Sequence, residues 1–448
     1  MRALLLFPLA LGACEDSAIV VGGLEEVARM KAIPNPHLDL LFVIDDSPSM
    51  ADKQAALAAA FPRMIDVLGQ IDGGLPSLHI GVITSDMGTS ASDSASPGPA
   101  IGQLGNGGCA GRGDDGQLQM IAGMTADFLS DLPGNGTRVK NYTGELRDVF
   151  GQLARVGAGG CGFEQHLSAM RSALTRSAST GFLRPSANLA VVFLADEDDC
   201  SARSTAVFGP DGAALGPLSS FRCFAQGVTC DQSSTDVGAK TNCVPDAGSS
   251  LIDDIAPFVD ALLVAKADPR MVMVAAIVGD ADPVGVELRV PPGGGPMQAA
   301  LSHSCTFTSV DGPSAADPAI RLSAFLDAFP GRATLTSVCS GDLSNPLGVI
   351  GQSAKQLIGD PCLDTSQLAD ASPDPGIQPS CEVVDIRDAS PEAPTSIAPC
   401  TPGSNDCYDL IADQVACPAS SDHLRVKIKR TTAPADDTWT HVRCQRAE

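Results

Sequence analysis

The sequence predicts an α/β protein built on a doubly wound, mainly parallel sheet, broken by long disulfide-stapled insertions and followed by a small cysteine-rich β module. Three observations carry this expectation. Four short runs, 38–44, 78–84, 189–195 and 271–278, are almost continuously apolar, the pattern of strands buried on both faces of a parallel sheet. Stretches with apolar residues at helical spacing lie between them, giving the strand–helix alternation of an α/β chain. The fifteen cysteines gather mainly in the insertions and after residue 360.

The first element is a leader. Met1-Arg2 precedes an apolar stretch, residues 3–13, that closes in Leu11-Gly12-Ala13-Cys14. It is too short for a spanning helix, which needs about 20 residues. The segment resembles a bacterial lipoprotein signal (residues 1–13), which implies lipidation of Cys14. An ordinary secretory signal is the alternative. Residues 14–36 read as a tether ending in Pro34-Asn35-Pro36.

Residues 37–360 form the main domain. Leu57, Phe61, Ile65 and Leu68 mark a helix that Pro62 is expected to bend or interrupt. Leu146, Val149, Phe150 and Leu153 mark a second, with Thr143 as a plausible cap. Leu167, Met170 and Leu174 mark a third, and Leu347, Ile350, Ala354 and Leu357 a late one. Asp317-Pro318 reads as a helix start leading into Leu322, Phe325 and Leu326. Lys266, Asp268 and Arg270 interrupt the apolar stretch 258–279, which therefore reads as helix end, turn and strand rather than a membrane span. The insertions are 87–118, 201–250 and 284–313, long enough to need stapling. Residues 361–448 hold six cysteines, many prolines and one alternating run, 424–428, as expected of a disulfide-held β module.

Whole-chain chemistry narrows the function. Fifty-three acidic against 29 basic residues give a net charge of −24, which disfavours nucleic acid and anionic lipid surfaces. No Cys-x-x-Cys pair occurs and the six histidines are scattered, so disulfides are a better reading than a structural zinc cluster. Setting Cys14 aside leaves fourteen candidates, an even number: Cys109, Cys161, Cys200, Cys223, Cys230, Cys243, Cys305, Cys339, Cys362, Cys381, Cys400, Cys407, Cys417 and Cys444.

One constellation carries chemistry. The first apolar run leads into Asp45-Asp46-Ser47-Pro48-Ser49, which puts a carboxylate and two hydroxyls on one tight loop at the carboxyl end of a strand, where open α/β sheets place their ligands. Hard oxygen donors of this kind suit Mg²⁺. Asp45, Ser47 and Ser49 match the opening motif of the von Willebrand factor A domain, and residues 37–360 resemble that Rossmann-like family. The resemblance implies a metal-ion-dependent adhesion site holding Mg²⁺, Mn²⁺ or Ca²⁺, with Asp196 as a further ligand after the run 189–195. Where the family has a threonine, this chain has Cys161, a poor donor for a hard cation; Glu164 is the candidate replacement.

The resemblance further implies that the metal takes an Asp or Glu carboxylate from a partner protein, with the loops 86–117 and 197–250 supplying specificity. The chain is thus expected to be a lipid-anchored protein of the bacterial cell envelope or surface, acting in adhesion or protein–protein interaction, and not an enzyme. A metal-free structural or assembly protein is the alternative, and a secreted metal-dependent hydrolase a third reading. Glu197, Asp198 and Asp199 read as a solvated acidic loop, with a calcium site as the alternative. His166 reads as a partly exposed structural histidine.

Overall fold

The computed structural model describes residues 24–446 except 292–293, 367, 373–377 and 418–421. The signal expected at residues 1–13, and the lipidation expected at Cys14, lie outside the described residues. From the N-terminus the chain forms β1 (Leu24–Lys31), β2 (His37–Ile44), α1 (Ala51–Leu68), β3 (Ser77–Thr84), β4 (Leu129–Leu132), β5 (Val139–Lys140), α2 (Leu146–Leu153), α3 (His166–Thr180) and β6 (Asn188–Leu194). Next come α4 (Gly212–Leu215), α5 (Phe221–Gly227), β7 (Val228–Thr229), β8 (Gly238–Lys240), β9 (Val244–Pro245), α6 (Ala256–Leu263) and β10 (Val272–Val278). These are followed by β11 (Val284–Arg289), β12 (Gln298–Leu301), β13 (Cys305–Ser309), β14 (Gly312–Ala316), α7 (Ile320–Asp327), β15 (Ala333–Ser337) and α8 (Ser344–Ile358). The last five strands are β16 (Cys381–Arg387), β17 (Ser390–Ile397), β18 (Cys407–Ala412), β19 (Leu424–Lys429) and β20 (Thr438–Gln445).

The largest sheet runs β15-β10-β6-β2-β3-β4-β5. Its side chains alternate between two faces, as the strand period of two requires. In β2, Leu40, Phe42 and Ile44 join the core under α1, α2 and α8, whereas Leu41 and Val43 join the core under α3, α6 and α7. Every residue of β3, β6 and β10 is buried, which explains their continuous apolar runs.

The expected class is nevertheless overturned. Only β2, β3, β6, β10 and β15 pair in parallel, and β4 and β5 extend the same sheet antiparallel, so the sheet is mixed. The remaining strands form small antiparallel sheets, β1-β20-β16-β17, β12-β11-β8, β13-β14, β18-β19 and β7-β9. The chain is a mixed protein rich in antiparallel strands, not a doubly wound, mainly parallel one. Strands β13 and β14 are short and partly exposed, and β17, eight residues long, is mostly exposed. They are held by backbone pairing and cross-links, so they leave no long apolar run in the sequence.

All fourteen cysteines between 109 and 444 are paired, in seven disulfides: 109–161, 200–223, 230–243, 305–339, 362–417, 381–444 and 400–407. Leu24–Lys31, within the stretch read as a tether, pairs antiparallel with β20. Its Ala28 and Met30 help close a small core with Val383, Leu424, Val426 and Val442. Helix starts also differ from expectation. Thr143 does not cap α2, whose N-cap is Glu145, and α7 begins after Ala319 rather than at Asp317-Pro318. Helix α1 continues through Pro62, which removes one intrahelical donor. Among the described residues no helix is long and apolar enough to cross a membrane.

Candidate functional site

The site forms where β2 and β6 end side by side. The Asp45 amide donates to the Leu194 carbonyl (2.9 Å), fixing the start of the loop against the neighbouring strand. Asp45 Oδ1 then accepts the Ser47 amide (2.7 Å), a local turn that aspartate favours. The Ser47 and Ser49 hydroxyls lie 3.1 Å apart, and Ser49 Oγ donates to Asp196 Oδ1 at 3.1 Å. Gln54, one turn into α1, braces the loop by donating to the carbonyls of Asp45 (2.9 Å) and Gly157 (2.6 Å). Asp45, Ser47, Ser49 and Asp196, far apart in sequence, are thus joined in one hydrogen-bonded chain.

Glu164 approaches from the segment before α3. Both of its carboxylate oxygens, and Oδ2 of Asp45, are buried without a hydrogen-bond donor. The group against Glu164 is a second carboxylate, Glu197. Burial, then repulsion by Glu197 and Asp45, holds the Glu164 carboxyl well above the usual range. Burial and then Asp196 do the same to Asp45. Glu197 is pushed up to about 8 by burial and by Asp317 and Asp196. A buried, uncompensated carboxylate is costly, so this cluster needs protons or a cation.

One cation is already present. Lys53 Nζ lies 2.9 Å from Asp196 Oδ2 and also donates to Ser314 Oγ (2.7 Å), the Ser49 carbonyl (3.0 Å) and Asp52 (3.2 Å). Its charge answers Asp196. Burial raises the Asp196 carboxyl, and the lysine opposes that rise. No comparable donor among the described residues reaches Glu164. Among the described residues no group of three His, Cys, Asp or Glu side chains is arranged to hold a metal ion. A cation here would therefore depend on the two serine hydroxyls as well as on carboxylates. Cys161 is excluded as a ligand, being bonded to Cys109.

The long insertions wall the site. The amides of Ser92 and Asp93 donate to the carbonyls of Ala202 and Arg203, both at 2.9 Å. The disulfides 109–161 and 200–223 share a core with Phe163 and Phe208. A cavity of about 400 Å³ opens beside Ser49, Lys53, Asp196 and Glu197, with Ser309 and Ser314 of the β13–β14 hairpin on its far side. Gly160 permits close packing below. A Cβ there would lie 2.2 Å from the Asp46 carboxylate, which burial and its neighbours Asp45 and Asp86 push up to about 8.

Several residues escaped the sequence reading. Lys53 lies in the first turn of α1, four residues after Ser49, and Glu197 directly follows Asp196. The acidic run is not a solvated loop. Asp198 accepts the first-turn amides of α7 from Arg321 (2.7 Å) and Leu322 (3.0 Å). Asp199 is fully buried, accepts the Leu167 amide at the start of α3 (2.9 Å) and pairs with Arg321 (3.1 Å). His166 is fully buried rather than partly exposed, and that burial lowers its pKa to about 4 and keeps the ring neutral.

No protein-family model matches the sequence, and no curated protein is similar to it. Among solved structures, the chain is similar to the pilus adhesin SpaC of Lactobacillus rhamnosus GG in its open conformation, at 9% identity and a TM-score of 0.31 over 93% of this chain and 39% of that one. It is similar to the PilB minor pilin of Streptococcus sanguinis at 10% identity and a TM-score of 0.29, over 72% of this chain and 62% of that one. For the pilus adhesin RrgA of Streptococcus pneumoniae the values are 10%, 0.30, 94% and 57%. The chain therefore spans less than two thirds of these proteins. Likeness at this level is too slight to assign a function.

Proposed function

We propose that this chain is a cell-surface adhesion or assembly protein of von Willebrand factor A type. In this reading it binds a divalent cation, Mg²⁺ or Mn²⁺, through Asp45, Ser47, Ser49, Asp196 and Glu164, and recruits an Asp or Glu carboxylate of a partner protein. The observation that carries the reading is the set of buried carboxylate oxygens on Asp45 and Glu164 with no donor against them. A divalent ion would satisfy these oxygens and relieve the repulsion among Asp45, Glu164 and Glu197. Oxygen-only ligation with few net charges is the chemistry of magnesium sites that retain open positions. The cavity beside Ser49 and Asp196 leaves room for a partner side chain. Lipid anchoring at Cys14 and an envelope location belong to the same proposal and rest on the sequence of the leader.

A second reading rests on Lys53. Its ammonium already sits 2.9 Å from Asp196 and repels any added cation, so the site would be a metal-free, lysine-neutralised relic serving envelope assembly. Counting bound Mn²⁺ by electron paramagnetic resonance separates the two. The proposal expects one Mn²⁺ per chain, weakened in Glu164→Ala and strengthened roughly tenfold or more in Lys53→Met, because a like charge is removed at short range. Absence of Mn²⁺ binding by folded wild type and by Lys53→Met would leave the metal-free reading.

A further inference from the structure

A cavity with cationic walls opens in this acidic chain. About 380 Å³ in volume, it lies between α3 and the insertion after β3, and Arg112, Arg171 and Arg176 line it with the hydroxyl residues Ser90, Ser168 and Thr175. None of its lining residues is Asp or Glu, although the chain carries a net charge of −24. Two carboxylates stand behind the wall. Asp115 pairs with Arg176 and so holds that side chain in place. Asp253 accepts the Ser92 hydroxyl at 2.8 Å and lies only within long ion-pair range of Arg171, at 3.9 Å, and of Arg203, at 3.8 Å.

The other two arginines have capacity to spare. Arg112 donates to the Ala95 carbonyl (2.7 Å) and has no carboxylate within ion-pair distance among the described residues. Among the described residues the Arg171 guanidinium makes no hydrogen bond, and its central carbon lies over the Phe258 ring, 4.5 Å from the ring centre. A guanidinium with no hydrogen-bond acceptor keeps its N–H groups available, and their planar fork matches the oxygens of an oxyanion. Of the hydroxyls along the same wall, those of Ser90 and Thr175 already donate to the Gly111 and Arg171 carbonyls, which leaves Ser168 as the uncharged donor.

We infer that this cavity is an oxyanion site, in which Arg112 and Arg171 bind the phosphate, sulfate or carboxylate group of a small polar ligand. It is independent of the proposed metal site, since none of its charged residues belongs to that cluster. The test is calorimetry on the full chain in chelator at constant ionic strength, titrating inorganic phosphate, sulfate and acetate against a chloride control. Saturable binding of at least one oxyanion is expected. Tetrahedral selectivity would identify phosphate or sulfate as the ligand chemistry, and preference for acetate a carboxylate. Arg112→Ala, an exposed change, should weaken binding roughly tenfold or more, and Arg171→Met, which keeps an apolar contact with Phe258, by a similar factor. Loss in the double variant supports the site. Equal binding by wild type and either folded variant, or no saturable binding of any of the three anions, overturns it.

Discussion

Glu197→Gln, tested in chelator, probes the carboxylate cluster without relying on a metal. In the fold Glu197 keeps its proton to about pH 8, whereas its ordinary value is 4.5. Folding therefore takes up a proton between those values. The stability this group contributes is fully present below pH 4.5 and is lost as pH rises toward 8. A rise from 4.5 to about 8 corresponds to at most about 5 kcal/mol, at about 1.4 kcal/mol per pKa unit. Glu197 is only partly buried and faces Glu164, so solvent screening reduces the effect to roughly 2 kcal/mol. Glutamine keeps the shape and removes the charge. Thermal unfolding followed by circular dichroism, disulfides intact, should show wild type losing more stability than Glu197→Gln between pH 5 and 8.5, with the variant several degrees higher at pH 8.5. Parallel pH profiles would refute the reasoning, because they would mean the cluster is not electrostatically strained.

Other perturbations have defined outcomes. Arg321→Ala leaves the buried Asp199 carboxylate without its ion pair and should lower unfolding stability by about 3–5 kcal/mol; a denaturant midpoint within error of wild type would contradict this. Replacing Cys109 and Cys161 together by serine opens a cross-link spanning 52 residues, with an expected loss of about 4 kcal/mol on chain-entropy grounds. Proteolysis of the 87–118 insertion should accelerate in the same variant. Lys53→Met, in chelator, leaves the buried Asp196 without its counter-charge and should destabilise the chain by roughly 3 kcal/mol or more, measured as the shift in its urea midpoint.

Much of the site and part of the scaffold were legible in the sequence, for physical reasons. The runs that became β3, β6 and β10 are buried throughout, so selection for apolar residues on both faces marks them. Asp45, Ser47, Ser49 and Asp196 were placed because strand ends gather them. The class itself was misread because β7, β8, β9, β13, β14 and β17 are too short or too exposed to generate a hydrophobic period. Their order comes from disulfides and backbone pairing, which residue patterning does not record. Asp198 and Asp199 looked like a solvated charge run because their partners, the amides of α7 and α3 and the Arg321 side chain, are remote in sequence. Glu164 was legible as a ligand candidate, but the orphaned state of its oxygens was not, since only packing decides which donors reach a buried carboxylate.

Calorimetric titration of Mg²⁺ and Mn²⁺ into the oxidised chain, beside its Asp45→Ala variant, tests the central claim most directly. The account predicts saturable binding of one ion by wild type and none by Asp45→Ala, with both chains folded. Absence of binding to folded wild type, or unchanged binding in Asp45→Ala, would contradict it.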